Sequence, residues 1–91
     1  MIKHIKVTKY IVPDNGKIDV ELAPQSPALI LSSFYYADTA MYIATQHEGM
    51  AVVDTIKGSN YMKCVAKNNT TITISADRLA SQCYFYVIQT Y

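Results

Sequence analysis

The sequence predicts an all-β fold, a small antiparallel β-sandwich of jelly-roll-like character with about eight short strands. Three observations predict it. Apolar and polar side chains alternate residue by residue through several segments, as in half-buried strands. Turn-forming residues recur at intervals of roughly ten residues. No stretch longer than a turn carries apolar residues at helical spacing between capping residues. With 91 residues a single domain over residues 1–91 is expected, burying roughly 60–65% of the surface of its unfolded chain.

Residues 2–12 carry Ile5, Val7 and Ile11 on one parity. Pro13, Asp14, Asn15 and Gly16 then combine a fixed φ with residues that tolerate positive φ, which makes a turn. In residues 17–22, Ile18, Val20 and Leu22 point one way and Lys17, Asp19 and Glu21 the other. These two strands read as a first hairpin. Pro24 and Pro27 bracket a loop, because proline cannot donate to a central ladder. Residues 28–36 form a nearly continuous apolar strand and residues 40–45 another, with Ala37, Asp38 and Thr39 closing a hairpin between them.

Residues 49–57, centred on Val52 and Val53, are a fifth strand ended by Gly58, Ser59 and Asn60. Residues 61–67 set Met62, Cys64 and Ala66 against Tyr61, Lys63, Val65 and Lys67, with the core side left open. Asn68 and Asn69 supply a tight turn. Residues 71–75 are strongly β by composition, with Ile72 and Ile74 inward and the hydroxyls outward. Residues 77–82 are a loop or one helical turn. Residues 83–91 make the last strand, apolar or aromatic on both faces.

Composition narrows the function classes. Hydrophobic residues are 51% and charged residues 16%, a balance that favours a folded chain over a disordered one. A net charge of +1 is too small to gather a polyanion. Lys3, Lys6 and Lys9 do not share one face of an extended segment and lack interleaved aromatic platforms, so no nucleic-acid partner is expected. No apolar run approaches the roughly 18 residues that span a bilayer, and the first residues lack the apolar core of a secretory signal. Synthesis in the cytoplasm and no membrane partner follow as expectations. Cys64 and Cys83 read as reduced core residues, with a bridge between them as the alternative.

No chemistry-bearing constellation emerges. His4 and His47 are far apart, and no pair among them and the two cysteines has the close spacing of a structural metal site, so no metal is assigned. There is no nucleophile elbow and no phosphate-cradling glycine loop. Asp14, Asp19, Glu21, Asp38, Glu48, Asp54 and Asp77 all suit exposed turns or outward strand faces. Asp54 shares parity with Met50, Val52 and Ile56. If that parity faces the core, Asp54 needs a buried partner; if it faces out, the strand presents an apolar surface. The chain is expected to be no enzyme, with no catalytic residue and no cofactor.

The unusual feature is tyrosine, with eight against two phenylalanines and no tryptophan. On the last strand Tyr84, Tyr86 and Ile88 stand on one parity, and Cys83, Phe85, Val87 and Tyr91 on the other. Both sets cannot fill one core. Phe34, Tyr35 and Tyr36 pose the same problem on the third strand. These observations make Phe34, Tyr35, Tyr36, Tyr84, Tyr86 and Ile88 a candidate interface, since tyrosine suits a surface that is apolar yet wet at its edge. A tyrosine-rich core with hydroxyls reaching the surface is the structural alternative. A sugar-stacking platform is the other, with Tyr42, Tyr61 and Asn60 as candidate glycan-binding residues and Gln46 and Asp38 as polar neighbours. The acceptor pattern in residues 68–71 reads as a turn, there being no secretory signal.

The alternating opening strand, residues 28–31 (Ala-Leu-Ile-Leu), residues 38–42 (Asp-Thr-Ala-Met-Tyr), residues 70–75 (Thr-Thr-Ile-Thr-Ile-Ser) and the aromatic closing strand together resemble small β-sandwich domains of bacteriophage virion proteins, especially tail or head fibre heads. The resemblance covers residues 17–90. It implies a homo-oligomer, trimer first and dimer second, in contact with other virion proteins and serving assembly or host attachment through a cell-surface glycan. A chain of 91 residues starting at Met1 is expected to be a stand-alone accessory or decoration protein of the virion.

Overall fold

The computed structural model describes residues 4–24, 26–34, 38–47, 49–77 and 82–90. Eight strands follow in chain order: β1 (Ile5–Val12), β2 (Lys17–Glu21), β3 (Ala28–Phe34), β4 (Thr39–His47), β5 (Met50–Lys57), β6 (Met62–Ala66), β7 (Thr71–Ala76) and β8 (Cys83–Thr90). They form a five-stranded sheet in the order β1-β8-β3-β4-β5 and a three-stranded sheet in the order β2-β7-β6. Every pairing is antiparallel. The pairs β1·β8, β2·β7 and β4·β5 are nested as in a rolled ribbon, the jelly-roll-like part of the fold. The roll is incomplete, because β3 pairs with β8 and β4 while β6 adds to β7.

The expected first hairpin does not form. β1 matches all eight residues of β8, from Ile5↔Thr90 to Val12↔Cys83, whereas β2 joins β7 in the other sheet. An eight-residue ladder satisfies more of β1's backbone than the five residues of β2 could. The turn between them is real but carries the chain from sheet to sheet. Asn15 takes φ 59° in it, and Gly16 N donates to Pro13 O at 2.9 Å. A Cβ on Gly16 would lie 2.8 Å from the Pro13 ring, so glycine is required there by contact. The β3–β4 hairpin forms as expected, closed by Phe34 N donating to Asp38 O at 3.0 Å. The turn before β7 is held by the Asn68 side chain, whose Oδ1 accepts from Thr70 N at 3.0 Å.

The core lies between the sheets. Ile72 and Ile74, inward as the alternation predicts, are fully buried beside Val20, Leu22, Met62 and Cys64. The five-stranded sheet answers with Val12, Ile30, Ala44, Cys83, Phe85 and Val87, all at most 1% exposed. Three side chains of that sheet also tie the layers by hydrogen bonds. Tyr42 Oη donates to Met62 O at 2.8 Å. Gln89 Oε1 accepts from Ala23 N at 2.8 Å while its Nε2 donates to Glu21 O at 3.3 Å. Gln46 Nε2 reaches Leu22 O at 3.4 Å. Residues 21–23, just ahead of Pro24, have no ladder partner in the larger sheet, and the two glutamines supply one from side chains.

Candidate functional site

Each sheet of a two-layer sandwich has an inner face and an outer one, and the two outer faces of this molecule differ in kind. On the three-stranded sheet the outward positions are Lys17, Asp19 and Glu21 on β2, Thr71, Thr73 and Ser75 on β7, and Lys63 and Val65 on β6. Asp19 accepts from Thr73 Oγ1 at 2.8 Å and from the Lys67 ammonium, and these hydrogen bonds lower its pKa. Val65 is the single apolar side chain in this row of strand positions. Such a surface is ordinary for an antiparallel sheet with one solvated side.

The outer face of the five-stranded sheet is the opposite. Cross-strand register aligns Val7, Ile88, Leu29 and Ile43 in one row ending at Asp54, and Lys9, Tyr86, Leu31 and Met41 in the next, ending at Lys57. Ile5, Ile11, Tyr84, Val52 and Met50 extend the rows at either end. Ile5 is 68% exposed, Val7 59%, Met50 62% and Ile56 57%, large values for aliphatic side chains on regular strands. The register slips between Met41 and Tyr42, which leaves Ile56 as an extra residue on β5. This bulge opens an apolar cleft lined by Leu31, Ser33, Met41, Ile56 and Tyr86. Contiguous apolar surface of this kind is uncommon on a folded protein that stands alone in water.

Of the candidate interface residues, Tyr84, Tyr86 and Ile88 stand together on this face, with Tyr86 37% exposed. Lys9 lies over their rings, its Nζ 4.6 Å from the Tyr84 centroid and 5.9 Å from that of Tyr86. Phe34 is a correction. It shares the inward parity of Ala28, Ile30 and Ser32, is 8% exposed, and packs on the Tyr61 ring at 5.7 Å. Tyr35 and Tyr36 lie outside the described residues. Asp54 faces out, so β5 presents the apolar surface that this alternative implies.

Sequence reasoning sought an aromatic surface, and the face is mainly aliphatic. It missed Ile5, Val7, Ile11, Leu29, Leu31, Met41 and Ile43. The signal was present: the parity argument made for β8 applies equally to β3, where Leu29 and Leu31 alternate with buried Ile30.

The glycan candidates are brought together only in part. Tyr42 is a correction, because it is 3% exposed and its hydroxyl is bonded within the core, so its ring offers no face to a sugar. Asn60 and Tyr61 sit with Asp38, Gly58 and Ser59 around a shallow hollow before β6. There Ser59 Oγ donates to Asp38 Oδ2 and accepts from Tyr61 N at 3.0 Å. These bonds serve the turn itself. Among the described residues no three His, Cys, Asp or Glu side chains are placed to share a metal ion, and no helix is long and apolar enough to cross a membrane.

Cys64 and Cys83 are free and buried. Burial pushes the Cys64 thiol up to about 12 and the Cys83 thiol up to about 11. An unfolded thiol loses its proton near pH 8.5. Between that point and the raised folded values the native state holds protons that the unfolded state has lost, so stability falls as pH rises through this window. Changing both cysteines to alanine is expected to cost about 1–3 kcal/mol at pH 7 and to flatten the loss above pH ~9. Urea titrations at pH 7, 9 and 10 on both proteins check this, and an equally steep alkaline loss in the variant would assign it to other groups.

No family model, curated protein or solved structure matches this chain.

Proposed function

We propose that this protein is a non-enzymatic assembly component, a β-sandwich that binds copies of itself and neighbouring proteins through the outer face of its five-stranded sheet, within a bacteriophage virion. The observation that carries the reading is the contrast between the two outer faces. A monomer in water would be expected to clothe both sheets as it clothes β2, β7 and β6; instead five strands present isoleucine, valine, leucine, methionine and tyrosine outward. The virion setting is supported by the texture of the strands, which resembles that of phage particle domains, and the role there is decoration or attachment. A glycan platform would have to rest on Tyr61 and Asn60 without Tyr42, which leaves assembly the better-supported reading.

Sedimentation equilibrium between about 1 and 100 μM tests the assembly role, that range being where a standard interface of about 1,600 Å² is expected to be populated. The expected species is well above the chain mass of 10.2 kDa. A monomer throughout the range rejects self-assembly. Neighbouring genes for capsid, portal or tail proteins test the virion setting separately.

A further inference from the structure

We infer that the outer face is covered by a second copy of this chain, laid face to face about a twofold axis that runs across the strands, midway between the row from Val7 to Asp54 and the row from Lys9 to Lys57. Each strand then lies over its own counterpart, running the other way. The inference rests on the assembly reading and makes it specific. Area is the first argument. Among the described residues, every large apolar side chain of high exposure except Tyr61 and Val65 belongs to this face, and these eight are 37–68% exposed. For side chains of this size that leaves on the order of 750 Å² on one face, above the ~300–600 Å² of a typical monomer's largest patch and close to the ~800 Å² that each partner contributes to a standard interface. A face-to-face pair buries both apolar sheets and displays only the polar β2-β7-β6 sheets, so association closes at two.

Charge then selects the axis. Among the described strand positions of this face the ionised side chains are Lys9 on β1 at one edge and Asp54 and Lys57 on β5 at the other. Lys9 and Lys57 share a row, so an axis along the strands, which keeps rows and exchanges edges, would set lysine on lysine twice. An axis across the strands keeps edges and exchanges rows. Centred on either row it would set Asp54 on Asp54 or Lys57 on Lys57; midway between them it sets Asp54 of each copy on Lys57 of the other. Lys57 is held ready, its Nζ donating to Thr39 O at 2.8 Å and to Thr39 Oγ1 at 2.7 Å, which leaves one of the ammonium's three donors for the aspartate. Lys9 falls opposite Val7 at the other edge, its Nζ drawn back over its own Tyr84 ring at 4.6 Å. Packed sheets cross at about 30°, which slides the edge strands past each other by about 5 Å, a distance that a lysine side chain spans. Shape selects the same axis. The cleft between Leu31, Met41, Ile56 and Tyr86 comes opposite Leu29 and Ile43 of the second copy, which can fill it with aliphatic groups. An axis along the strands would bring Lys9 towards it instead.

The exchange of rows also sets Ile5 of each copy opposite Ile11 of the other, and this supplies the test. Within one chain the two residues are six apart on β1, about 20 Å along an extended strand, so charges placed on them can meet only between copies. The full chain is compared with Ile5→Lys, Ile11→Glu and the I5K/I11E double variant by sedimentation equilibrium, with circular dichroism as the check on folding. Wild type is expected to be a dimer. Each single variant should weaken it, and the double should bind at least about fivefold tighter than the product of the two single losses predicts, from two new rim ion pairs per dimer. Asp54→Lys should weaken the dimer about tenfold or more, because it sets lysine against lysine twice. A stable trimer, no coupling between positions 5 and 11, or unchanged affinity in Asp54→Lys overturns this arrangement while leaving assembly standing. A wild type that is monomeric at 100 μM overturns both, and if that monomer floats with phosphatidylcholine vesicles, a lipid surface covers the face instead.

Discussion

A Val7→Lys, Ile88→Glu double variant is expected to be monomeric at concentrations where the wild type is associated, with its fold and melting temperature nearly unchanged. Val7 and Ile88 are direct cross-strand partners on β1 and β8, and both side chains lie on the outer face. Val7 is already 59% exposed in the single chain, so a charge there loses little hydration on folding. Opposite charges directly across an antiparallel pair support the ladder by about 0.2–1 kcal/mol, which offsets the lost apolar contact and keeps the melting temperature within about 5 °C of wild type. In the proposed assembly the same two charges would be buried against an apolar partner surface. Burying polar or charged groups without partners is costly, and loss at the centre of an interface commonly exceeds ~2 kcal/mol per residue, so dissociation should strengthen more than a hundredfold. Sedimentation equilibrium and a thermal melt on one preparation separate the two effects. A variant that associates as tightly as wild type would move the interface off this face.

The parts of this molecule that could be read from the sequence were those decided within a strand. Ile72 and Ile74 against Thr71, Thr73 and Ser75 left one possible inward face, and β7 has it. The same held for Val20 and Leu22 on the β2 side. What could not be read was set between strands. The turn at Pro13 to Gly16 has the residues of a hairpin, but turn chemistry reports only that the chain reverses, not which strands it joins. β1 found its partner on β8, far along the chain, where eight matched residues were available from Ile5↔Thr90 to Val12↔Cys83. Phe34 and Tyr42 were misplaced for a related reason. Phe34 beside Tyr35 in sequence, and Tyr42 between Met41 and Ile43, leave either parity open until register assigns the faces, and Cys83 opposite Phe34 fixes that side as inward. The apolar outer face itself was half legible. Apolar residues on both parities of β8 showed that a second surface existed; its extent over β1, β3, β4 and β5 required the strand order.

Neighbouring residues of β8 should respond to truncation in opposite ways. Phe85→Ala is expected to lose about 3–5 kcal/mol, the range for a large aromatic removed from a packed core, because Phe85 is 0% exposed between the two sheets. For a domain of this size total stability is of the order of 5–14 kcal/mol, so the variant gives up a large share and will populate unfolded chains at modest urea. Tyr86→Ala, one residue on, removes a ring that is 37% exposed on the outer face. It is expected to cost no more than about 1 kcal/mol in the single chain, the scale of a cross-strand contact, while weakening association strongly, since Tyr86 lines the cleft with Leu31, Met41 and Ile56. Urea titrations must be made at one low protein concentration, because any association stabilises the folded state by mass action. Under that condition the two variants should differ by at least about 2 kcal/mol, with Phe85→Ala the less stable. Equal losses would mean that both parities of β8 are buried alike, and the outer face would then be core rather than a surface awaiting a partner.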